Sequence, residues 1–168
     1  MKAKPVSTQY IVLAALIAAL YTALTLSLPL LSFGIIQFRV SEALTVLPFY
    51  CPAAIPGVFI GCLISNLVGG GGLPDILFGS LATLIAALLT AKAKNHWLAI
   101  APPIVVNILI IGPVLTYIYE RDVFWSSLPF TMLSVGAGQL LACGGLGYLL
   151  LKICGRFPFF TREKEADK

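Results

Sequence analysis

Arg39 and Glu42 stand three positions apart in the otherwise apolar run GIIQFRVSEALTVLP. At that spacing two side chains share one face of a helix. The pair has two readings. It is an internal ion pair that ties a loop to the helix, or a recognition unit in which Glu42 accepts hydrogen bonds from a solute that Arg39 orients. Asp75 follows the run SNLVGGGGLPD. It can cap a helix start, for which Asp is well suited, or offer its carboxylate to a cationic or NH-rich ligand. Gln37, Asn66, Asn107, Gln139 and Glu120 are further polar groups that can contribute to a solute-binding pocket. Asn66 also reads as a helix cap or interhelical hydrogen bond, and Glu120 as a solvated loop charge.

The chemistry these residues offer is recognition rather than catalysis. They include no histidine, no metal-ligand cluster and no Ser/His/Asp set, so the sequence predicts no catalytic residue, no metal and no cofactor. Carboxylates alone can do acid/base work, which keeps a small membrane enzyme as a minor alternative. No Lys-Ser/Thr follows Gly69 to Gly72, so the glycines read as a flexible gate, and the chain carries no visible ATP site. The four cysteines lie in apolar segments without a CxxC pair and read as small buried hydrophobes. His96, beside Trp97, reads as an anchor at a membrane edge.

The elements that position these groups are set by composition. Of 168 residues, 59% are hydrophobic and only 11% charged, against about 25% charged in soluble domains. The mean hydropathy is +0.97. This is the signature of an all-α integral membrane protein, read as a single domain over residues 1–168. Ionisable groups inside spanning segments are costly and are functional candidates by default, which gives Arg39, Glu42 and Asp75 their weight. The net charge of +4 is spread without the basic run that a phosphate backbone requires, so nucleic acid is excluded as a partner.

Apolar periodicity and breakers place spans at about 10–31, 40–52, 53–68, 75–91, 97–118 and 128–151, followed by a tail at 156–168. Helices 2 and 3 are short and interrupted by Pro48, Pro52 and Pro56. The first of them covers roughly 20 Å at 1.5 Å per residue, less than the ~30 Å hydrocarbon core. Such helices are tolerated when packed inside protein or lining a cavity, and they are similar to the discontinuous helices of transporter sites. Nine of the eleven basic residues lie in the two tails and the turn at Lys92 and Lys94. Placing all nine inside satisfies the positive-inside rule and requires six spans with cytoplasmic N and C termini. Arg39, Glu42, Asn66, Asp75 and Glu120 then gather at the outer half, with Asn107 and Gln139 deeper. A one-sided set fits a capture site open to the exterior better than a channel.

On helix 1, Ala15, Ala19 and Ala23 recur every four residues. Small-residue stripes let helices approach closely in lipid. The stripe serves internal packing or a docking face for a second membrane protein, and spacing alone leaves both open.

The QFRVSEALTVLP run, the GGGGLPD loop, the alanine stripe and a six-span plan together resemble the QueT family over roughly residues 10–155. These are proposed queuosine-precursor uptake proteins among the substrate-binding S-components of energy-coupling-factor (ECF) transporters. The resemblance implies a multi-pass cell-membrane protein that binds a 7-deazaguanine base at the outer side. It implies docking through the helix 1 alanines onto a membrane coupling subunit with two cytoplasmic ATPases, followed by toppling and inward release. The implied base carries a nitrile or aminomethyl group, with Asn66, Asn107 and Gln139 to read its carbonyl and ring nitrogens and Phe38, Tyr117, Tyr119 and Trp125 as the rings available to stack on it. Glu42 is the first choice for its guanine-like edge and Asp75 the second, with the other carboxylate or Glu120 left for an aminomethyl cation. An S-component for another vitamin or purine-like base is the close alternative, since the alanine stripe and six-helix plan are common to S-components.

Overall fold

The structure, a computed structural model, describes residues 7–32, 38–70 and 72–157. Among the described residues every regular element is helical. The main helices are α1 (Thr8–Ser27), α2 (Val40–Phe49), α3 (Ala54–Val68), α4 (Asp75–Ala91), α5 (His96–Tyr119) and α6 (Arg121–Cys154). The first begins and ends somewhat earlier than the apolar run suggests, because Leu28 leaves helical geometry and Pro29–Ser32 forms a separate turn. The last begins well before residue 128, since Arg121–Val123 already winds into it. Three helices, α1, α5 and α6, are long and apolar enough to cross a membrane, and the other three are shorter and apolar.

The organising element is α2. It is wound as a 3₁₀ helix, and every residue from Ser41 to Phe49 is buried. Runs of this length in that geometry are uncommon. At about 2.0 Å rise per residue its ten residues reach roughly 20 Å, where an α-helix of ten would reach about 15 Å. The tight winding therefore extends a short buried segment along the bundle while its backbone groups still pair within the chain, as a water-free environment demands. The remaining helices form a curved row, α1 on α3, α3 on α4, α4 on α5 and α5 on α6, and all five touch α2.

The proline expectation is corrected in detail. Pro52 lies in the turn between α2 and α3, and Pro56 falls in the first turn of α3, where no intrahelical donor is lost. Thus α3 is continuous. Pro48 lies near the end of α2. Pro52 and Pro56 punctuate helix ends, whereas Pro48 lies inside α2, and Pro102, Pro103, Pro113 and Pro129 lie within α5 and α6.

Close packing of α1 on α3 depends on glycine. A Cβ at Gly57 would lie 2.9 Å from the Ala14 carbonyl oxygen and from Ile17 Cβ, and one at Gly61 would lie 2.7 Å from Tyr21 Cβ. The α1 residues used are Ala14, Ile17, Ala18 and Tyr21, whereas Ala15, Ala19 and Ala23 are exposed on the opposite face together with Leu16 and Leu20. The stripe is therefore not spent on internal packing.

Contacts between helix ends show that helices consecutive in the chain run in alternating directions, so the packed pair α1 and α3 run the same way. At one end, Tyr10 of α1 meets Pro52, Tyr50 meets His96, and Trp97 stacks on Tyr148 with ring centroids 4.9 Å apart. Trp97 remains 67% exposed. The turn expected at Lys92 to Asn95 is present, with the Asn95 side chain accepting from the Leu98 amide at 2.8 Å. At the other end, the last turns of α1 and α3 meet the first turns of α2 and α4, and here the buried polar groups collect.

Candidate functional site

Three charged side chains are buried among the described residues: Arg39, Glu42 and Asp75. Arg39 precedes α2, so its side chain enters the bundle where α1, α2 and α4 converge. Its Nε donates to the Ser32 carbonyl at 2.9 Å, and its Nη2 lies 3.5 Å from Asp75 Oδ2. The ion pair expected between Arg39 and Glu42 is replaced by one between Arg39 and Asp75. Spacing along one helix is overruled by the approach of α4 across the bundle.

Glu42 is reached from α1 instead. The Tyr21 hydroxyl, itself fully buried, donates to Glu42 Oε1. One turn further along α1, Thr25 and Ser41 share a hydrogen bond of 2.6 Å. The Gln139 side chain of α6 also bears on the Glu42 carboxylate. The Cys143 thiol lies 3.3 Å from both the Glu42 carbonyl and Gln139 Oε1. Both carboxylates are near enough to Arg39 for their charges to act on it.

Asp75 does not cap α4: Pro74 holds the N-cap position and no side chain caps the helix. The first turn, Asp75–Gly79, is wound wide as a π-helical turn, a feature frequent at functional sites. The Asp75 carboxylate turns inward to Arg39. Asn66, fully buried on α3, donates through Nδ2 to the Asp75 carbonyl at 2.9 Å. A Cβ at Gly79 would lie 2.9 Å from that same Nδ2, so the glycine is what lets Asn66 approach.

Three acceptor oxygens in this cluster are buried and have no hydrogen-bond partner: Glu42 Oε2, Asn66 Oδ1 and Asp75 Oδ1. Buried polar groups in proteins are overwhelmingly paired, and an orphan calls for an explanation. Leaving one unmade costs about 1–3 kcal/mol, and more for a charged group.

The structure thus brings together Arg39, Glu42, Asn66, Asp75 and Gln139. Asn107 is buried on α5 and donates to the Pro103 carbonyl of its own helix at 2.8 Å. Glu120 lies between α5 and α6, half-buried. No hydrogen bond or ion pair among the described residues joins either of them to the cluster. Gln37 lies outside the described residues. Of the candidate stacking rings, Phe38 packs against the core, while Tyr117, Tyr119 and Trp125 are exposed, Trp125 at 83%. Tyr21 went unrecognised in the sequence because one hydroxyl at the tip of a large apolar ring hardly alters a hydrophobic run. Its spacing from Thr25, four residues on and on the same face, is the signal that marks it.

Apolar helices, three of them long and apolar enough to cross a membrane, surround this buried polar cluster, as in a membrane protein. The chain matches the model of the QueT transporter family over residues 11–156, and it belongs to that family. One relative, the Queuosine precursor transporter QueT of Lactococcus lactis subsp. cremoris (strain MG1363), is 43% identical over 84 residues. The match covers 49% of this chain and 49% of that protein, so the chain aligns with about half the length of the curated relative. No solved structure matches the chain.

Proposed function

We propose that this protein is the substrate-binding subunit of an ECF-type ABC importer and captures a queuosine precursor, a 7-deazaguanine base, at the outer side of the cell membrane. The observation that carries the reading is the set of orphaned acceptors, Glu42 Oε2, Asn66 Oδ1 and Asp75 Oδ1, buried around Arg39. A guanine-like edge presents two adjacent NH donors, which one carboxylate accepts together, and charge-assisted pairs of this kind are the strong ones. Glu42 takes that edge, with Tyr21 holding its other oxygen in place. The family membership and the name of the Lactococcus relative support the choice of ligand.

In this reading the six helices all span, both termini lie inside, and the polar cluster belongs to the outer half. The exposed Ala15, Ala19 and Ala23 dock onto the membrane coupling subunit, which two cytoplasmic ATPases drive. The whole protein then topples to release the base inside. The chain's lack of a Walker sequence agrees with ATP being bound by partner subunits.

Calorimetric titration of the purified protein tests the ligand. A 7-deazaguanine should bind tightly while unrelated vitamins give no heat. Tight binding of another vitamin, with deazaguanines inert, would reassign the site.

A further inference from the structure

The carboxylates and most of the cations of this chain are sorted to opposite ends of the bundle. Among the described residues, the end that holds the polar cluster carries Glu42, Asp75, Glu120 and Asp122 beside Arg39 and Arg121. The other end carries Lys92, Lys94, Lys152 and Arg156, and no carboxylate side chain. All four cations are exposed, and none of them forms an ion pair among the described residues.

These cations border a fixed aromatic seat. Trp97, exposed at the start of α5, stacks on Tyr148 of α6 with the ring planes 25° apart. Lys152 Nζ stands 5.2 Å from the Tyr148 ring centroid, within cation–π range. Tyr148 and Lys152 are four residues apart on α6 and so share a face. Behind them, the Tyr50 hydroxyl and His96 Nε2 share a hydrogen bond of 2.8 Å, and the His96 ring meets Tyr148 edge-on at 6.2 Å. The seat is thereby tied to α2 as well as to α5 and α6. Lys92 and Lys94 come from the turn that leads into α5. Arg156 lies in the turn that closes α6, where its amide donates to the Ile153 carbonyl at 3.0 Å. Leu98 and Leu149, each next in sequence to one of the stacked rings, are exposed apolar side chains.

We propose that this end holds an anionic phospholipid at a defined site. The lipid phosphate is taken by Lys152, Arg156 and the turn lysines, its glycerol backbone lies on the Trp97–Tyr148 pair, and its acyl chains run along Leu98 and Leu149. Amphipathic rings settle at the depth of the headgroups, where phosphate is the anion at hand. Basic pockets between helices at that depth bind anionic headgroups, and a guanidinium grips phosphate with two parallel hydrogen bonds. A zwitterionic lipid brings its own ammonium, which four cations repel. A soluble anion would match the charges but would leave the rings and leucines beside them uncovered. The site is separate from the polar cluster and does not depend on which solute the protein carries.

Trp97 and Trp125 are the two tryptophans of the chain, and they stand at opposite ends of the bundle. The full-length protein with Trp125→Phe is reconstituted in phosphatidylcholine vesicles containing brominated phosphatidylglycerol or brominated phosphatidylcholine, whose bromines quench a tryptophan they touch. Quenching of Trp97 should give a relative affinity for the anionic lipid about tenfold above that for phosphatidylcholine, the gain expected from one or two well-placed cations. In Trp97→Phe protein, Trp125 should show no such preference. Adding Lys152→Gln and Arg156→Gln to the Trp125→Phe protein should bring the preference at Trp97 to within about twofold, with solute affinity unchanged. Equal quenching of Trp97 by both lipids would overturn the proposal. So would an equal preference at Trp125, which would report general attraction to the membrane, or a preference at Trp97 that survives the double substitution. Loss of the preference on adding millimolar inorganic phosphate at fixed ionic strength would make the ligand a soluble anion and overturn the lipid. The comparison of the two tryptophans decides the question even if the double variant does not fold.

Discussion

Arg39 and Asp75 are joined across the bundle, Nη2 to Oδ2 at 3.5 Å, with both side chains sealed from solvent. They are 36 residues apart in sequence and belong to different helices. The contact ties the entry of α2 to the wide first turn of α4 and fixes where both carboxylates of the site stand.

Breaking this pair from one side should be costly. Arg39→Met leaves Asp75 buried without its cation, and such losses run to about 3–5 kcal/mol. Thermal unfolding in detergent should show a marked drop for Arg39→Met. Combining it with Asp75→Leu should recover much of the loss. Simple addition of the two single effects would mean the residues do not act on each other.

The α1–α3 contact should control the site without touching a ligand. Gly61→Leu places new atoms where Tyr21 Cβ and the Ala18 carbonyl already stand. Overpacking of this kind costs about 1–3 kcal/mol. It also pushes Tyr21 away from Glu42. Solute affinity should fall along with the melting temperature, whereas Gly145→Ala, which has nothing within 4 Å of its added carbon, should change neither.

The exposed face of α1 gives a separable prediction. Ala15→Trp with Ala19→Trp should prevent co-purification with the coupling subunit and abolish uptake in cells. Solute binding by the isolated protein should be unchanged, because these positions face away from α3. Normal uptake by the double variant would reject the face as the docking surface.

Topology is testable by labelling. Lys92 and Lys94, exposed in the turn between α4 and α5, should resist a membrane-impermeant amine reagent applied to intact cells and react after permeabilisation. Labelling from outside would invert the protein and put the polar cluster at the inner side.

What the sequence made legible followed from solvent. Arg39, Glu42, Asn66 and Asp75 stand out because ionisable and amide groups are expensive in hydrocarbon, and they do come together. Their pairing was not legible. The three-residue spacing of Arg39 and Glu42 suggests each as the other's partner, yet the partner of Arg39 arrives from α4 and that of Glu42 from α1. Local spacing reports shared faces and is silent about which helix lies opposite. The same limit hid the 3₁₀ winding of α2, which follows from burial on all sides rather than from a residue pattern. It also left the two alanine faces of α1 undecided: Ala14 and Ala18 pack against Gly57 and Gly61, and only the glycines on α3 settle which face turns inward.

The most direct test of the capture site is the affinity of Glu42→Gln for a 7-deazaguanine. The substitution keeps shape and removes the acceptor charge. A hydrogen bond to a charged group contributes about 1.5–3 kcal/mol, so binding should weaken by roughly 10- to 100-fold while the protein stays folded. Unaltered affinity in a folded Glu42→Gln protein would contradict the account.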